Sequence, residues 1–449
     1  TEKERLRLAQ NALDRYHALL SRWQNEPQAA EDVILARIDR LGALYAHGDY
    51  QQVISEYQAL TAAQHPVPDW AIGWVISACL QEKNTAAAFS LVQRYPQYAA
   101  DPQDEEHALF YAWLDTGQYQ SAHEYVERET RSVPWIRYDF GSPTPQPNDR
   151  WLTGQTLKLN YLLATNALPE AEELSYRLAS TAPGNQGLQI DYATLLQARG
   201  LPRAAEKKLK MAEALEPSST ELEQQQAYVA MDLQAWREMD LLTDDVLARA
   251  PVDRSVQRLD RIRNVHHMSE LRLNAGKGLH SDNPVSGSHD FTWDATLYGP
   301  PVADNWRLFA GTRFAQGRFD EGKGTSRHLS GGVEWRPRDL TLEAELSSNR
   351  YHGTNRPGAR LSTIYSLNDN WQVSGSLERL SRTTPLRALR NGISANRGEG
   401  GVRWYQNERR EYQFNAAVSR FSDHNRRQEY TLSGKERLWQ TPTLTLDLE

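Results

Sequence analysis

Carboxylates and one aromatic ring recur at helical spacing in the first part of this 449-residue chain: Asp39, Asp104, Tyr111, Asp115, Asp191 and Glu221. Set on the first helix of successive helix pairs, they share one face. Carboxylates beside a ring hold a cationic or polar ligand by charge-assisted hydrogen bonds and stacking. An ordinary solvated face is the competing reading for each residue taken singly. A second set, of both signs, lies after residue 265: Asp290, Asp294, Arg307, Arg313, Glu343, Glu345, Glu378 and Arg403. On alternating strands these would line a hydrated lumen, with plain polar filling of a barrel interior as the alternative.

Catalysis finds little support. The sequence holds no GxxxxGK[ST], HExxH, GxSxG or GxGxxG motif. Gly276-Lys277-Gly278 and Gly322-Lys323-Gly324 read as loop glycines, and Asp104-Glu105-Glu106 as the acidic start of a helix. His266 and His267 lack a third ligand, so no metal and no cofactor are expected. Cys79 is the one cysteine, which excludes an internal disulfide and a CxxC site; its apolar neighbours predict a buried core thiol.

The elements that position these residues change character near residue 265. Before it, Pro183, Pro217 and Pro251 are spaced by 34 residues, and Gly48, Gly117 and Gly200 each precede a pair-ending proline by about half that interval. Small or apolar residues lie between them at helical spacing, such as Ala205, Leu209 and Ala212. Glycine ends the first helix of a pair and proline stops the second. Six pairs are predicted near 29–65, 68–98, 103–134, 151–183, 186–217 and 219–251, with a leading helix over 1–26 and a capping helix over 252–265. Residues 131–150 break the repeat: Pro143, Pro145 and Pro147 forbid helix, and Trp135, Tyr138 and Phe140 suit either a strap across the groove or one packed on its flank.

Charge divides at the same place. Residues 1–265 carry 26 Lys+Arg against 37 Asp+Glu, a net −11, and residues 266–449 carry 25 against 21, a net +4. The acidic part disfavours nucleic acid and favours a cationic or neutral polar partner. The mean hydropathy of −0.71 argues against helical membrane spans, and the longest apolar run, Ala71 to Leu80, is far short of the ~20 residues such a span needs. A membrane β-barrel remains open, because every second residue of its strands faces a polar interior.

After residue 265 the period becomes two. Phe291, Trp293, Ala295 and Leu297 oppose Asp290, Thr292, Asp294 and Thr296; the segments 340–347 and 412–419 alternate likewise. Eleven strands are predicted, starting near 267, 289, 305, 326, 340, 359, 371, 396, 411, 427 and 443. Short connections are expected at 299–305, 337–339, 368–370, 406–410 and 440–442. Long Gly- and Arg-rich ones are expected at 278–288, 316–325, 350–358, 382–395 and 421–426. Trp306, Trp335, Trp371, Trp404 and Trp439 each stand beside a short turn, as an interfacial girdle would. The first strand leaves the helical part and ends in a long loop, so the helical part should lie on the short-turn, periplasmic side. The chain begins within a helix and stops within a strand, so further repeats before it and further strands after it are expected.

A helical tetratricopeptide array followed by part of an antiparallel outer-membrane barrel resembles the biofilm exopolysaccharide exporters. The segments GDYQQVISEYQAL (48–60), GLPRAAEKKLKMAEALEP (200–217) and VEWRPRDLTLEAEL (333–346) are most similar to the poly-β-1,6-N-acetyl-D-glucosamine export porins. The resemblance implies a sixteen-stranded barrel in the outer membrane of a Gram-negative bacterium, a periplasmic solenoid that engages the polymer, and a polysaccharide deacetylase as partner. The expected organisation is a solenoid over 1–265 and an incomplete barrel over 266–449, the barrel seated in outer-membrane lipid. The expected activity is non-enzymatic export of partly deacetylated polymer, the solenoid guiding the chain or docking the deacetylase. A cellulose-type exporter, or a membrane-anchored tetratricopeptide adaptor, is the alternative.

Overall fold

The computed structural model describes residues 2–96, 98, 107–278 and 287–449. They form two compact units, Thr1–Ala171 with Leu247–Gln257, and Glu172–Val246 with Arg258–Glu449. The divisions cut through the helices Leu168–Thr181, Trp236–Arg249 and Arg254–His266, because the later repeats pack with the strands that follow them.

In the first unit a leading helix, Glu2–Trp23, precedes the pairs Ala30–His47 with Tyr50–Ala62, Asp69–Gln81 with Thr85–Arg94, and Ala108–Asp115 with Tyr119–Thr130. Apolar residues at spacings of three and four put Ile38, Leu41 and Leu44 against Val53, Leu60, Val75 and Ile76. Cys79 is buried in that cluster, as expected. The turn glycines Gly48, Gly117 and Gly200 have φ of +90°, +73° and +75°, the left-handed conformation that closes a helix at little cost only without a Cβ.

The proline-rich interruption forms a small hairpin, Ile136–Tyr138 (β1) paired with Pro145–Pro147 (β2). Asn148 Nδ2 donates to the Pro134 carbonyl at 2.7 Å and fastens its base. Trp135, Tyr138 and Phe140 are exposed, so these rings do not pin it to a flank.

In the second unit the helices Gln186–Ala198, Pro202–Leu215, Thr220–Asp232 and Trp236–Arg249 repeat with the 34-residue spacing set by the prolines. Asn185 Oδ1 accepts from Leu188 N at 3.2 Å and Ser219 Oγ from Leu222 N at 3.3 Å. Each cap satisfies an amide that the helix leaves free, worth about 1 kcal/mol. Ile190, Ala193, Leu196, Leu209, Leu222 and Val229 form the core between the pairs.

After Arg254–His266 the described residues form one antiparallel sheet of eleven strands, each paired with its neighbours in sequence. They are β3 Glu270–Lys277, β4 Ser288–Tyr298, β5 Trp306–Phe319, β6 Gly322–Trp335, β7 Leu340–Tyr351, β8 Thr354–Ser366, β9 Trp371–Arg379, β10 Ala395–Asn407, β11 Arg410–Phe421, β12 Arg426–Gln440 and β13 Thr445–Leu448. The strand number matches the sequence expectation; three of the long loops do not. Segments 316–325 and 350–358 are ladders closed by tight turns, with Gly317 opposite Gly324, Arg318 opposite Lys323, and Tyr351 opposite Thr354. The connection expected at 421–426 is likewise a short turn, because Arg420 pairs with Arg426. Glycine and arginine suggest loop, yet a strand that outruns an apolar band accepts both without a change of backbone. The connection after β9 is long, as expected, and carries a short helix, Leu386–Arg390. Residues 279–286 of the expected loop after β3 lie outside the described residues.

Candidate functional site

The helices Gln186–Ala198 and Thr220–Asp232 bring Asp191 and Glu221 together. Burial first, and then the charge of Glu221, push the Asp191 carboxyl up to about 7. Burial also raises Glu221. Asp232, on the same helix as Glu221, is raised by burial, and the bond donated by Gln197 Nε2 at 2.8 Å opposes that rise. Gln225 Nε2 donates to Gln197 Oε1 and holds that amide in place. Asp191, Glu221 and Asp232 form no ion pair among the described residues. Partly desolvated carboxylates without a cation form a face that favours a positively charged or strongly donating ligand.

The remaining expected groove residues belong to the other unit. Asp39 is exposed on the helix Ala30–His47. Tyr111 is exposed, and its hydroxyl accepts from Asn160 Nδ2 at 2.8 Å. Asp115 is ion-paired with Lys83 of the preceding pair, so it ties repeats together. Asp104 lies outside the described residues. Sequence reasoning overlooked Asp232, Gln197 and Gln225, although Asp232 stands eleven residues after Glu221, three helical turns along the same face.

On the sheet, all eight expected lumen residues share one face. Asp294 opposes Arg313, Arg307 opposes Glu334, and Glu334 opposes Glu343. One row crosses four strands with alternating sign: Glu345, Arg360, Glu378 and Arg397. Arg307 bonds Glu334 at 2.8 Å and Glu270 at 2.9 Å, and Arg360 bonds Glu343 at 2.7 Å. Arg403 bonds Glu411 at 2.6 Å. The segment after β9 folds onto this face: Arg382 N donates to Glu378 at 3.1 Å, and Arg313 Nη1 donates to the Arg382 carbonyl at 3.1 Å. Between that segment and the strands is a cavity of about 210 Å³ whose lining includes Asp290, Arg313, His328, Asn349 and Leu386.

The five tryptophans occupy the opposite face at the strand ends next to the connections 299–305, 336–339, 367–370, 408–409 and 441–444. Trp306 pairs with Trp335, with ring centroids 5.7 Å apart, and Trp371 pairs with Trp404. A register shift between Arg437 and Trp439 turns Trp439 to the side of Leu446.

The short turns also grip the helical repeats. Tyr405 Oη donates to the Arg199 carbonyl at 2.8 Å, and Arg199 Nε pairs with Glu408 at 3.0 Å. Asp369 accepts from Arg203 N and Ala204 N, both at 2.9 Å, and so caps the helix Pro202–Leu215 from across the junction. Arg338 forks onto Glu206 at 2.7 and 2.9 Å. Trp236 Nε1 donates to the Arg336 carbonyl at 2.9 Å, with the Arg336 guanidinium 4.9 Å from the indole and His266 stacked on it at 4.0 Å. Three turns thus fix the acidic helical face to one end of the charged strand face. The helices of the second unit thus lie at the strand ends joined by the turns that hold Arg336, Asp369 and Glu408, the side on which the first strand begins.

These features define a class: a membrane β-barrel domain entered from helical repeats. Residues 265–449 match the family described as PgaA membrane beta barrel domain. The chain is 43% identical over 452 aligned residues to the poly-beta-1,6-N-acetyl-D-glucosamine export protein of Escherichia coli (strain K12), covering 100% of this chain and 56% of that one. The protein of the same name from Escherichia coli O157:H7 matches with the same figures. The chain therefore spans about half the length of the curated relatives it matches. A solved structure titled bacterial polysaccharide outer membrane secretin is 45% identical over 40% of this chain and 61% of its own, with a TM-score of 0.38. The resemblance seen in the sequence holds along the whole chain.

Proposed function

We propose that the chain is the central part of an outer-membrane exporter of poly-β-1,6-N-acetyl-D-glucosamine, with residues 1–265 as its periplasmic solenoid and residues 266–449 as part of its barrel. The observation that carries this reading is the clamp between helical turns and strand turns. It holds Asp191, Glu221 and Asp232 in one packed unit with the row from Glu345 to Arg397. Partial deacetylation gives such a polymer ammonium groups, which partly desolvated carboxylates attract more strongly than exposed ones do. Within the strands, ladders of alternating charge exchange hydrogen bonds with a hydrated chain without trapping it at one sign.

Transport needs no bond to be made or broken, and in this reading the protein is not an enzyme. The tryptophans form the periplasmic girdle in outer-membrane lipid, the eight charged residues line the lumen, and Asp39 and Tyr111 engage the polymer within the first unit. A periplasmic deacetylase docks on the solenoid and delivers chain already carrying amines.

The test is binding of β-1,6-linked glucosamine oligomers, fully acetylated or partly deacetylated, to the bilayer-reconstituted protein. The later repeats pack with the strands, so the whole chain is the right object. Partly deacetylated oligomer should bind several-fold tighter, and the difference should shrink between 50 and roughly 300 mM salt as screening tightens. Equal affinity for the two oligomers would remove the electrostatic guide.

A further inference from the structure

The outward face of the sheet carries a second ordered feature. On β6, Arg327 stands eight residues before Trp335; Arg350 stands eight after Leu342, Arg379 eight after Trp371, and Arg420 eight after Tyr412. The register sets Arg327 opposite Arg350, Arg420 opposite Arg426, and Arg318 opposite Lys323. All seven cations are exposed, and none is ion-paired among the described residues. Like charges directly opposite on a sheet repel. Three such pairs along one edge are therefore a cost unless an anion lies between them.

Eight residues extend about 26 Å along a strand, and roughly 20 Å along a barrel axis for strands tilted near 40°. Arginine reaches several ångströms further by its stem. With the tryptophans at one interface, the belt falls at the other, beyond an apolar band of about 25 Å. Beside it is a hollow of about 1090 Å³ lined by Leu308, Val333, Leu346, Leu361 and Leu377 and by Arg379, Arg420 and Arg426, with Glu345, Arg360, Glu378 and Arg397 of the charged row also in its lining. Guanidinium forks match phosphate oxygens in pairs.

We propose that this belt binds a phosphorylated, multiply acylated glycolipid of lipid A chemistry. Its phosphates sit among Arg327, Arg350, Arg379, Arg420 and Arg426, and its chains lie along the leucines below. The assignment rests on the membrane-barrel reading above.

The test uses the full chain in phosphatidylcholine nanodiscs with three probes: bis-phosphorylated hexa-acyl lipid A, its dephosphorylated form, and phosphatidylglycerol. Bound lipid is counted by native mass spectrometry. The bis-phosphorylated probe should be retained at least tenfold over the other two, and the set R327Q/R350Q/R379Q/R420Q should abolish that preference. Equal retention of the dephosphorylated probe, equal retention of phosphatidylglycerol, or a preference that survives the four substitutions overturns the proposal. Should the quadruple variant fail to insert, the three-probe comparison on the unaltered chain decides alone. Because the eleven strands leave two unpaired edges, failure of this chain to insert alone moves the same three-probe comparison to the longer exporter that contains it, where the same outcomes decide.

Discussion

The Tyr405 hydroxyl donates to the carbonyl of Arg199 at 2.8 Å, directly over Gly200, where a Cβ would meet that hydroxyl oxygen at 2.3 Å. One glycine thus serves two ends. Its φ of +75° closes the helix Gln186–Ala198, and its missing side chain lets the barrel turn reach the helical backbone. Gly200→Ala should cost more than the ~1 kcal/mol of left-handed strain alone. Tyr405→Phe should lose about 1 kcal/mol for the hydrogen bond. In the double variant part of the alanine penalty should vanish, since the atom it strikes is gone. Thermal unfolding of the four proteins in one detergent checks this; strictly additive costs would contradict the close approach.

Asp369 gives a second prediction. It caps the helix Pro202–Leu215 although it lies more than 160 positions away in sequence. Asp369→Ala should expose two amide protons and cost about 1–2 kcal/mol. Amide exchange at Arg203 and Ala204 should speed accordingly while exchange in Thr220–Asp232 holds. Uniform loosening of both helices would argue against a local cap.

His266 is held down to about 4 by burial first, then by the charges of Arg336, His267 and Arg307. Its folded pKa lies below the ordinary 6.5, so the folded state resists protonation. Stability is full above pH ~6.5 and falls as pH drops toward 4, by on the order of 2–3 kcal/mol in all. Because the imidazole stacks on Trp236, indole fluorescence should report the loss. His266→Phe should flatten the profile; an unchanged acid slope would remove His266 as its source.

Asp191 acts with the opposite sense. Its carboxyl is raised, so the folded state prefers it neutral, and stability declines as pH climbs from about 4 toward 7. Asp191→Asn should remove that decline and stabilise the protein at pH 8, with little effect at pH 4. Melting curves across this range measure it. Equal destabilisation at both pH values would mean that the carboxylate is paired in the fold.

Much of this arrangement is legible in the residues. The 34-residue spacing of Pro183, Pro217 and Pro251, with the turn glycines, placed the later helix pairs, and the two-residue alternation placed the strands and the shared face of Asp290 through Arg403. Both signals are covalent and periodic, so they survive without tertiary knowledge. Gly317, Arg318, Lys323 and Gly324 misled, because glycine and arginine disfavour a buried strand but not one that runs past an apolar band. The clamp was hidden for another reason. Asn368-Asp369-Asn370 reads as a turn, and nothing local says that the carboxylate caps a helix from an earlier repeat. Asp191 was singled out by its face, yet its shift comes from burial first and then from Glu221, one repeat further on, neither of which is local in sequence.

The central claim is that a partly desolvated acidic face, fixed to the mouth of a charged barrel, selects an amine-bearing polysaccharide. Its most direct measurement is the affinity of the reconstituted chain for partly deacetylated β-1,6-glucosamine oligomer at pH 7.5, with and without D191N/E221Q. The account predicts a loss of about tenfold or more in the variant, with affinity for fully acetylated oligomer unchanged. Equal affinity of variant and unaltered chain for the deacetylated oligomer would contradict it.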